Sequence, residues 1–331
     1  MITASIIIVN WNGRNHLEHC IDSVLRQSWK AIEIILVDNA STDGSREVAA
    51  ARYPSINIVS LKENRGFTGG NIEGMKTAHG EYIVLLNNDA VLSERWIETM
   101  IDVMESDEII GMCASRIVIA GTNLIDSAGD LFTTAFNGTK VGEYENANSY
   151  VQRRNVHGAC AAAAMYRKKM LDQIGFLDKD FFFNHEDTDL NLRAWLTGWK
   201  CIFVPEAVAY HKVSASRGTF SDFSIYYYAR NIEWVWIKNV PLLMMLRFLP
   251  QRIFYEISYF GYFCIVKGKC IPFIKGKFDA LRGIGKMLSK RREVQRLIRL
   301  THQQMAVDLV PICRYIFTRL QKVPATRDFN S

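Results

Sequence analysis

What the chain lacks narrows it first. The apolar stretch Ile253–Val266 is 14 residues long and is interrupted by Glu256. A spanning helix takes roughly 20 apolar residues, so this stretch does not cross a bilayer alone. Met1-Ile2-Thr3-Ala4 carries no basic segment and no small-residue cleavage site, so no signal peptide is expected. The seven cysteines are scattered, odd in number and without a C-x-x-C pair. That disfavours a disulfide framework and implies a reduced, cytosolic setting in which most of them serve as small apolar side chains. No G-x-x-x-x-G-K-[ST] is present, which excludes a P-loop. No G-x-G-x-x-G follows the first apolar run, which disfavours a dinucleotide fold.

What is present suits one large α/β domain with an appendage, in 331 residues of 49% hydrophobic content. The net charge of +6 hides a division. Residues 1–240 hold 23 Lys+Arg against 29 Asp+Glu, and residues 241–331 hold 17 against 5. The basic part is also aromatic, a combination suited to nucleic acid or a membrane surface.

The first part alternates strand and helix. Apolar runs at Ser5–Val9, Glu33–Val37, Ile56–Leu61 and Tyr82–Leu86 read as strands. Leu17, Ile21, Val24 and Leu25 recur at helical spacing. This order predicts a mostly parallel sheet with helices on both faces, and such sheets bind ligands beyond the carboxyl ends of their strands. Polar loops follow the runs there: Asn10–Gly13, Asp38–Gly44, Glu63–Gly70 and Asn87-Asn88-Asp89. Asp38 or Asn39 can bond a base or ribose edge. Gly66-Phe67-Thr68-Gly69-Gly70 leaves backbone N–H groups before a helix, which suits phosphate, although glycines there also serve as plain turn residues.

His185-Glu186-Asp187-Thr188-Asp189-Leu190 sets three carboxylates within four positions, with Arg193 and His211 further on. Carboxylates so close repel unless a metal, a general base or a helix N-terminus uses the charge. Asp189 and Arg193 have the spacing of a structural pair on one helix.

Ile6-Ile7-Ile8-Val9-Asn10-Trp11-Asn12-Gly13, Ile35–Ser45, Glu63-Asn64-Arg65-Gly66-Phe67, Leu86–Asp89 and Phe181–Leu190 together closely resemble the family 2 glycosyltransferases of the GT-A fold. The motifs keep the family's order from about residue 4 to Arg230-Asn231, and the rhamnosyltransferase-like branch is most similar. The resemblance implies an inverting transfer of a sugar from a nucleoside diphosphate to a saccharide or lipid-linked saccharide, in cell-surface glycan synthesis. It implies nucleotide contacts from Asn10, Asp38, Asn39, Asn64, Gly66 and Asn88. Asp89 and His211 would hold Mg²⁺ or Mn²⁺, with Asn87 in place of the first acid of the family's D-x-D. Asp187 matches the catalytic base, with Glu186 as its neighbour and runner-up. His157 and Gly158 match the acceptor-side loop, and residues 123–155 are expected to shape the acceptor site. The donor sugar is open among dTDP-rhamnose, UDP-sugars and GDP-mannose.

Residues 1–240 thus read as the GT-A domain and 241–331 as a helical, basic extension. Ile274, Phe278, Leu281 and Leu288 repeat at helical spacing, with Lys275, Arg282, Lys286 and Lys290 on other faces. The pattern fits an amphipathic helix on an anionic membrane surface, or a helical cap on the core. The expectation is a cytoplasmic protein, peripheral on the membrane, with no nucleic-acid partner. Two other classes are weighed: a nucleotidyltransferase, which would carry a Gly-rich basic loop where Asn10–Gly13 stands, and a non-catalytic nucleotide- or nucleic-acid-binding domain, against which Asp89 and Asp187 argue.

Overall fold

The computed structural model describes residues 3–212 and 220–322. Its first half alternates β1 (Ala4–Asn10), α1 (Arg14–Leu25), β2 (Ile32–Asp38), α2 (Ser45–Arg52), β3 (Asn57–Ser60), α3 (Gly66–Lys76) and β4 (Tyr82–Asn87). β1 lies parallel between β2 and β4, and β2 pairs with β3. The register sets Asn10 beside Asp38, Asp38 beside Ser60, and Val9 beside Asn87, so the strand ends share one edge. Successive side chains alternate faces. Ile6, Ile8, Leu36, Val84 and Leu86 pack with Leu17, Ile21, Trp96 and Met100. Ile7, Ile35, Val37, Ile83 and Leu85 pack on the opposite face with Leu190 and Ala194. Burial on both faces is why these runs are continuously apolar.

The second half adds β5 (Ala90–Leu92), α4 (Trp96–Glu105), β6 (Ile110–Ile119), β7 (Ile125–Ser127), β8 (Asp130–Phe132), β9 (Gly138–Lys140), β10 (Arg154–Val156), β11 (Ala163–Arg167), α5 (Lys168–Ile174), α6 (Glu186–Leu196) and β12 (Lys200–His211). The sheet order is β10-β12-β6-β11-β4-β1-β2-β3, with β5 on β12 and β7 on β6. β11 runs antiparallel to both neighbours. β12 shifts register between Val204 and Val208, then continues until His211 pairs with Ala90 of β5. That pairing carries His211 to the β4–β5 turn. β8 and β9 form a separate ribbon in which Asp130 faces Lys140.

The chain closes with α7 (Asp222–Asn239), α8 (Leu242–Arg247), α9 (Leu249–Phe260) extended by a π-helical turn (Gly261–Val266), α10 (Cys270–Arg282), α11 (Ile284–Leu297), α12 (His302–Asp308) and α13 (Ile312–Lys322). Met244, Phe248, Met287 and Met305 share a core with Leu192, Trp195 and Leu196 of α6. The single amphipathic helix expected through residues 274–288 is instead two helices. Gly283 separates them, and a Cβ there would meet the Trp234 indole at 2.6 Å. Among the described residues no helix is long and apolar enough to cross a membrane.

Candidate active site

At the sheet edge the Asn88 amide donates to Asn10 Oδ1 at 2.8 Å, and Asn10 Nδ2 donates to Ser45 Oγ at 2.8 Å. This ties the ends of β1 and β4 to the start of α2. Asp38 is buried, and its Oδ1 has no hydrogen-bond partner within the protein. A buried acceptor left open in this way suits a donor from a ligand. Asn39 is already committed. Its amide donates to Asn64 Oδ1 at 3.1 Å and to the Gly66 carbonyl at 3.0 Å, and its Oδ1 accepts the Arg65 N–H at 2.8 Å.

Of the two readings of the glycine segment, phosphate cradle and plain turn, the contacts here are those of a turn. The Gly66 N–H donates to Asn64 Oδ1 at 2.8 Å, and the Thr68 N–H donates to the Phe182 carbonyl at 3.2 Å. Gly66 has φ +70°, and a Cβ there would meet the Phe182 carbonyl oxygen at 2.3 Å. Cβ atoms on Gly70 and Gly74 would strike Val9 and Ile7 at 2.6 and 2.5 Å. These glycines let α3 lie close on β1 and meet the Phe182 loop.

Asp89 and His211, 122 positions apart in the chain, come together with His211 Nε2 at 3.2 Å from Asp89 Oδ1. Asn87 Nδ2 lies 3.2 Å from the same imidazole nitrogen. Asp126, on β7, holds His211 Nδ1 at 2.9 Å and is itself ion-paired to Lys140. Burial opposes charge on each group. The two carboxylates nevertheless hold the His211 imidazolium up to about 9. Likewise Asp89, bonded to His211, stays below the usual carboxylate range, as does Asp126 under the influence of Lys140 and His211. Asp126 and Lys140 carry no signal in the sequence. Both lie in the expected acceptor segment, on strands of three residues.

Asp187 stands on a different foundation. Phe182, Asn184 and His185, just before α6, have φ of 65°, 70° and 65°, a strained run for non-glycine residues. Asn231 of α7 holds it, donating to the carbonyls of Phe181, Phe183 and Asn184 at 2.9, 2.8 and 2.7 Å. Arg230 donates to the carbonyls of Asp180 and Phe181, both at 2.9 Å. Asp189 is fully buried, pairs with Arg193 at 3.0 Å and also binds Lys238, so it anchors the helix. No side chain caps this helix; His185 occupies the cap in a left-handed conformation.

Asp187 is half-buried and accepts the Thr188 N–H at 2.7 Å. Glu186 and Asp130 are buried, each with one carboxylate oxygen unpartnered. Burial, then the neighbouring Asp187 charge, pushes both up to about 8. Burial also raises Asp187, against the Thr188 N–H and Lys140. The field of Lys140, which faces Asp130 across the ribbon and is bound to Asp126, reaches both carboxylate groups.

His157 accepts the Phe132 N–H on Nδ1 at 2.8 Å and packs between the Phe132 and Trp195 rings. Burial depresses it to about 4, so it is neutral near pH 7. Gly158 allows a close approach, but to α6: a Cβ there would meet Asn191 Cγ at 2.4 Å.

Residues 5–175 match the family Glycosyl transferase family 2, more than half of the chain, and the chain belongs to that family. Glycosyltransferase GlyG of Streptococcus pneumoniae serotype 4 is 34% identical over 32% of this chain and 38% of its own length. An N-acetylglucosaminyl-diphospho-decaprenol L-rhamnosyltransferase of Mycobacterium tuberculosis is 22% identical over 64% of this chain and 77% of its own. The chain spans less than half the length of GlyG and of GlyA from the same streptococcus. Among solved structures, S. aureus TarS superposes with TM-score 0.57 at 15% identity, over 89% of this chain and 52% of that one. GalNAc-T7 with UDP, GalNAc and Mn²⁺ superposes with TM-score 0.56 at 16% identity, over 70% of this chain and 48% of that one. These likenesses support the GT-A fold.

Proposed function

We propose that the chain transfers a sugar, with inversion, from a nucleoside diphosphate to a lipid-linked saccharide at the cytoplasmic face of a membrane. What supports the reading is an open Asp38 acceptor at the end of β2 and the Asp89–His211 pair at the β4–β5 turn, with the loop before Asp187 joined to α3 through the Phe182 carbonyl and the Thr68 N–H. Asp187 acts as the base: it takes the acceptor hydroxyl proton as the oxygen bonds to the sugar C1 and the C1–diphosphate bond breaks. Burial raises its proton affinity, the direction that strengthens a base. Glu186 is the runner-up, and its own proton affinity leaves it largely neutral at pH 7.

Asp89 and His211 fit a divalent cation. They offer one carboxylate oxygen and, once the cation displaces the Nε2 proton of the imidazolium, one imidazole nitrogen 3.2 Å away, with the ring oriented from behind by Asp126. Among the described residues no group of three or more His, Cys, Asp or Glu is placed to hold a metal, so the diphosphate and water would complete the shell of a hard cation. Mg²⁺ or Mn²⁺ bound there would neutralise charge on the departing diphosphate. The GalNAc-T7 structure with Mn²⁺ and UDP supports that assignment.

The rhamnosyltransferase relative points to dTDP-rhamnose as the first donor to try and to a lipid diphospho-saccharide as acceptor. The test is nucleoside diphosphate release from dTDP-rhamnose, UDP-sugars and GDP-mannose, with and without that acceptor and Mn²⁺. Acceptor-stimulated release from one donor class is expected. Silence across the whole panel would remove the proposal.

A further inference from the structure

The last helices bury one face and leave the other bare. Tyr255 and Phe263, from α9 and its π-helical turn, face inward, as do Phe273, Gly276 and Ala280 of α10. On the outside, Ile253, Ile257 and Phe260 of α9 and Ile274, Phe278 and Leu281 of α10 are 46–66% exposed.

These two rows lie on one side of the molecule. α9 runs against α7, since Tyr255 bonds Tyr228 while Arg252 bonds Glu233. α10 runs with α7, since Lys269 bonds Asp222, Asp279 bonds Tyr226 and Ala280 bonds Trp234. α9 and α10 are therefore antiparallel, and Lys277 joins them by binding both Glu256 and Glu233. Counted from Glu256, the α9 row sits at offsets −3, +1 and +4; counted from Lys277, the α10 row has the same offsets. At about 100° per residue these positions fill one arc beside the bridge. Equal arcs on antiparallel right-handed helices turn to the same side.

Charge selects the occupant. Lys275 and Arg282 of α10 are exposed beside the rows. The nearby acids are engaged, Glu256 by Arg252 and Lys277, and Asp279 by Tyr226 and Arg282. A second copy packed face to face would bring basic rims together, which opposes a two-fold contact. An anionic bilayer accepts both the apolar rows and the rim. The face also lies close to the base. Tyr255 on the inner side of α9 bonds Tyr228 at 2.6 Å, and the Tyr228 ring lies 4.8 Å from His185, which directly precedes Glu186 and Asp187.

We propose that the outer face of α9 and α10 lies on an anionic lipid bilayer, parallel to its plane, and holds the Asp187 loop where a lipid-linked acceptor arrives. The docking stands on its own observations; only the acceptor rests on the glycosyl-transfer reading. The full chain is sedimented with phosphatidylcholine vesicles with and without phosphatidylglycerol, over rising salt. Binding is expected only with phosphatidylglycerol. Lys275→Gln and Arg282→Gln should each weaken it about fivefold. Ile257→Asn with Phe278→Asn should abolish it while thermal melting stays that of wild type, since neither side chain enters the core. Asp187→Asn should bind vesicles normally, which separates docking from chemistry. Absence of binding by the wild type overturns the proposal. So does unchanged binding by the folded double variant, or a dimer in solution that the double variant converts to monomer.

Discussion

Two groups of acids near the same sheet edge are built in opposite ways. Asp89 and Asp126 alternate with His211 and Lys140, so each anion meets a cation and is held ionised. Asp130, Glu186 and Asp187 crowd one another with little compensation, and two of them keep an unpartnered oxygen. The first arrangement fixes charge and geometry; the second stores affinity for a proton. A transfer that must neutralise a leaving diphosphate and also accept a hydroxyl proton needs both. Lys140 belongs to the first group by contact and reaches the second through its field.

Breaking the second group should cost most. Asp187→Asn should lower kcat by about 10²–10⁴-fold, with nucleoside diphosphate affinity unchanged by calorimetry. Wild-type turnover in this variant would move the base to Glu186.

Breaking the support of the first group should cost less and show elsewhere. Asp126→Asn leaves His211 without its orienting carboxylate and should weaken Mn²⁺ binding about 10–100-fold. The measurement is a Mn²⁺ titration with nucleoside diphosphate present. Unchanged Mn²⁺ affinity would make Asp126 only a partner of Lys140.

The smallest effects sharpen the contrast through pH. The kcat/KM profile should rise with pH along a limb displaced above the ordinary carboxylate range, because desolvation opposes the ionised base more than the Thr188 N–H and Lys140 favour it. Glu186 keeps its proton while Asp187 ionises, so Glu186→Gln should leave that limb in place. The free protein should also melt at lower temperature as pH rises from about 6.5 to about 9. Glu186, Asp130 and His211 all bind protons more tightly in the fold than unfolded, so their stabilisation is present at low pH and lost as each titrates. A melting temperature that rises over this window would contradict the placement of these groups.

The long parallel strands were legible from their apolar runs, and the observed bounds of β1, β2, β3 and β4 differ from the expected ones by one residue at most ends. Strands of three residues such as β7, β8 and β9 carry no period to read, so Asp126, Asp130 and Lys140 stayed hidden in an unpatterned segment. The glycines before α3 were visible, but not their purpose, which depends on Val9, Ile7 and Phe182 lying against them. Asn231 shows the same limit: its three carbonyl partners lie some 50 positions away, around the positive-φ residues Phe182, Asn184 and His185, and backbone acceptors leave no side-chain pattern to read. The tail's amphipathic spacing was legible, whereas the close approach of Gly283 to the Trp234 indole was not.

The division of labour is tested most directly by Mn²⁺ paramagnetic resonance with nucleoside diphosphate on the wild type, Asp89→Ala and Asp187→Asn. Asp89→Ala is expected to lose the bound-Mn²⁺ signal, while Asp187→Asn keeps the wild-type signal and lacks transfer. A wild-type signal in Asp89→Ala, or its loss in Asp187→Asn, would contradict that division.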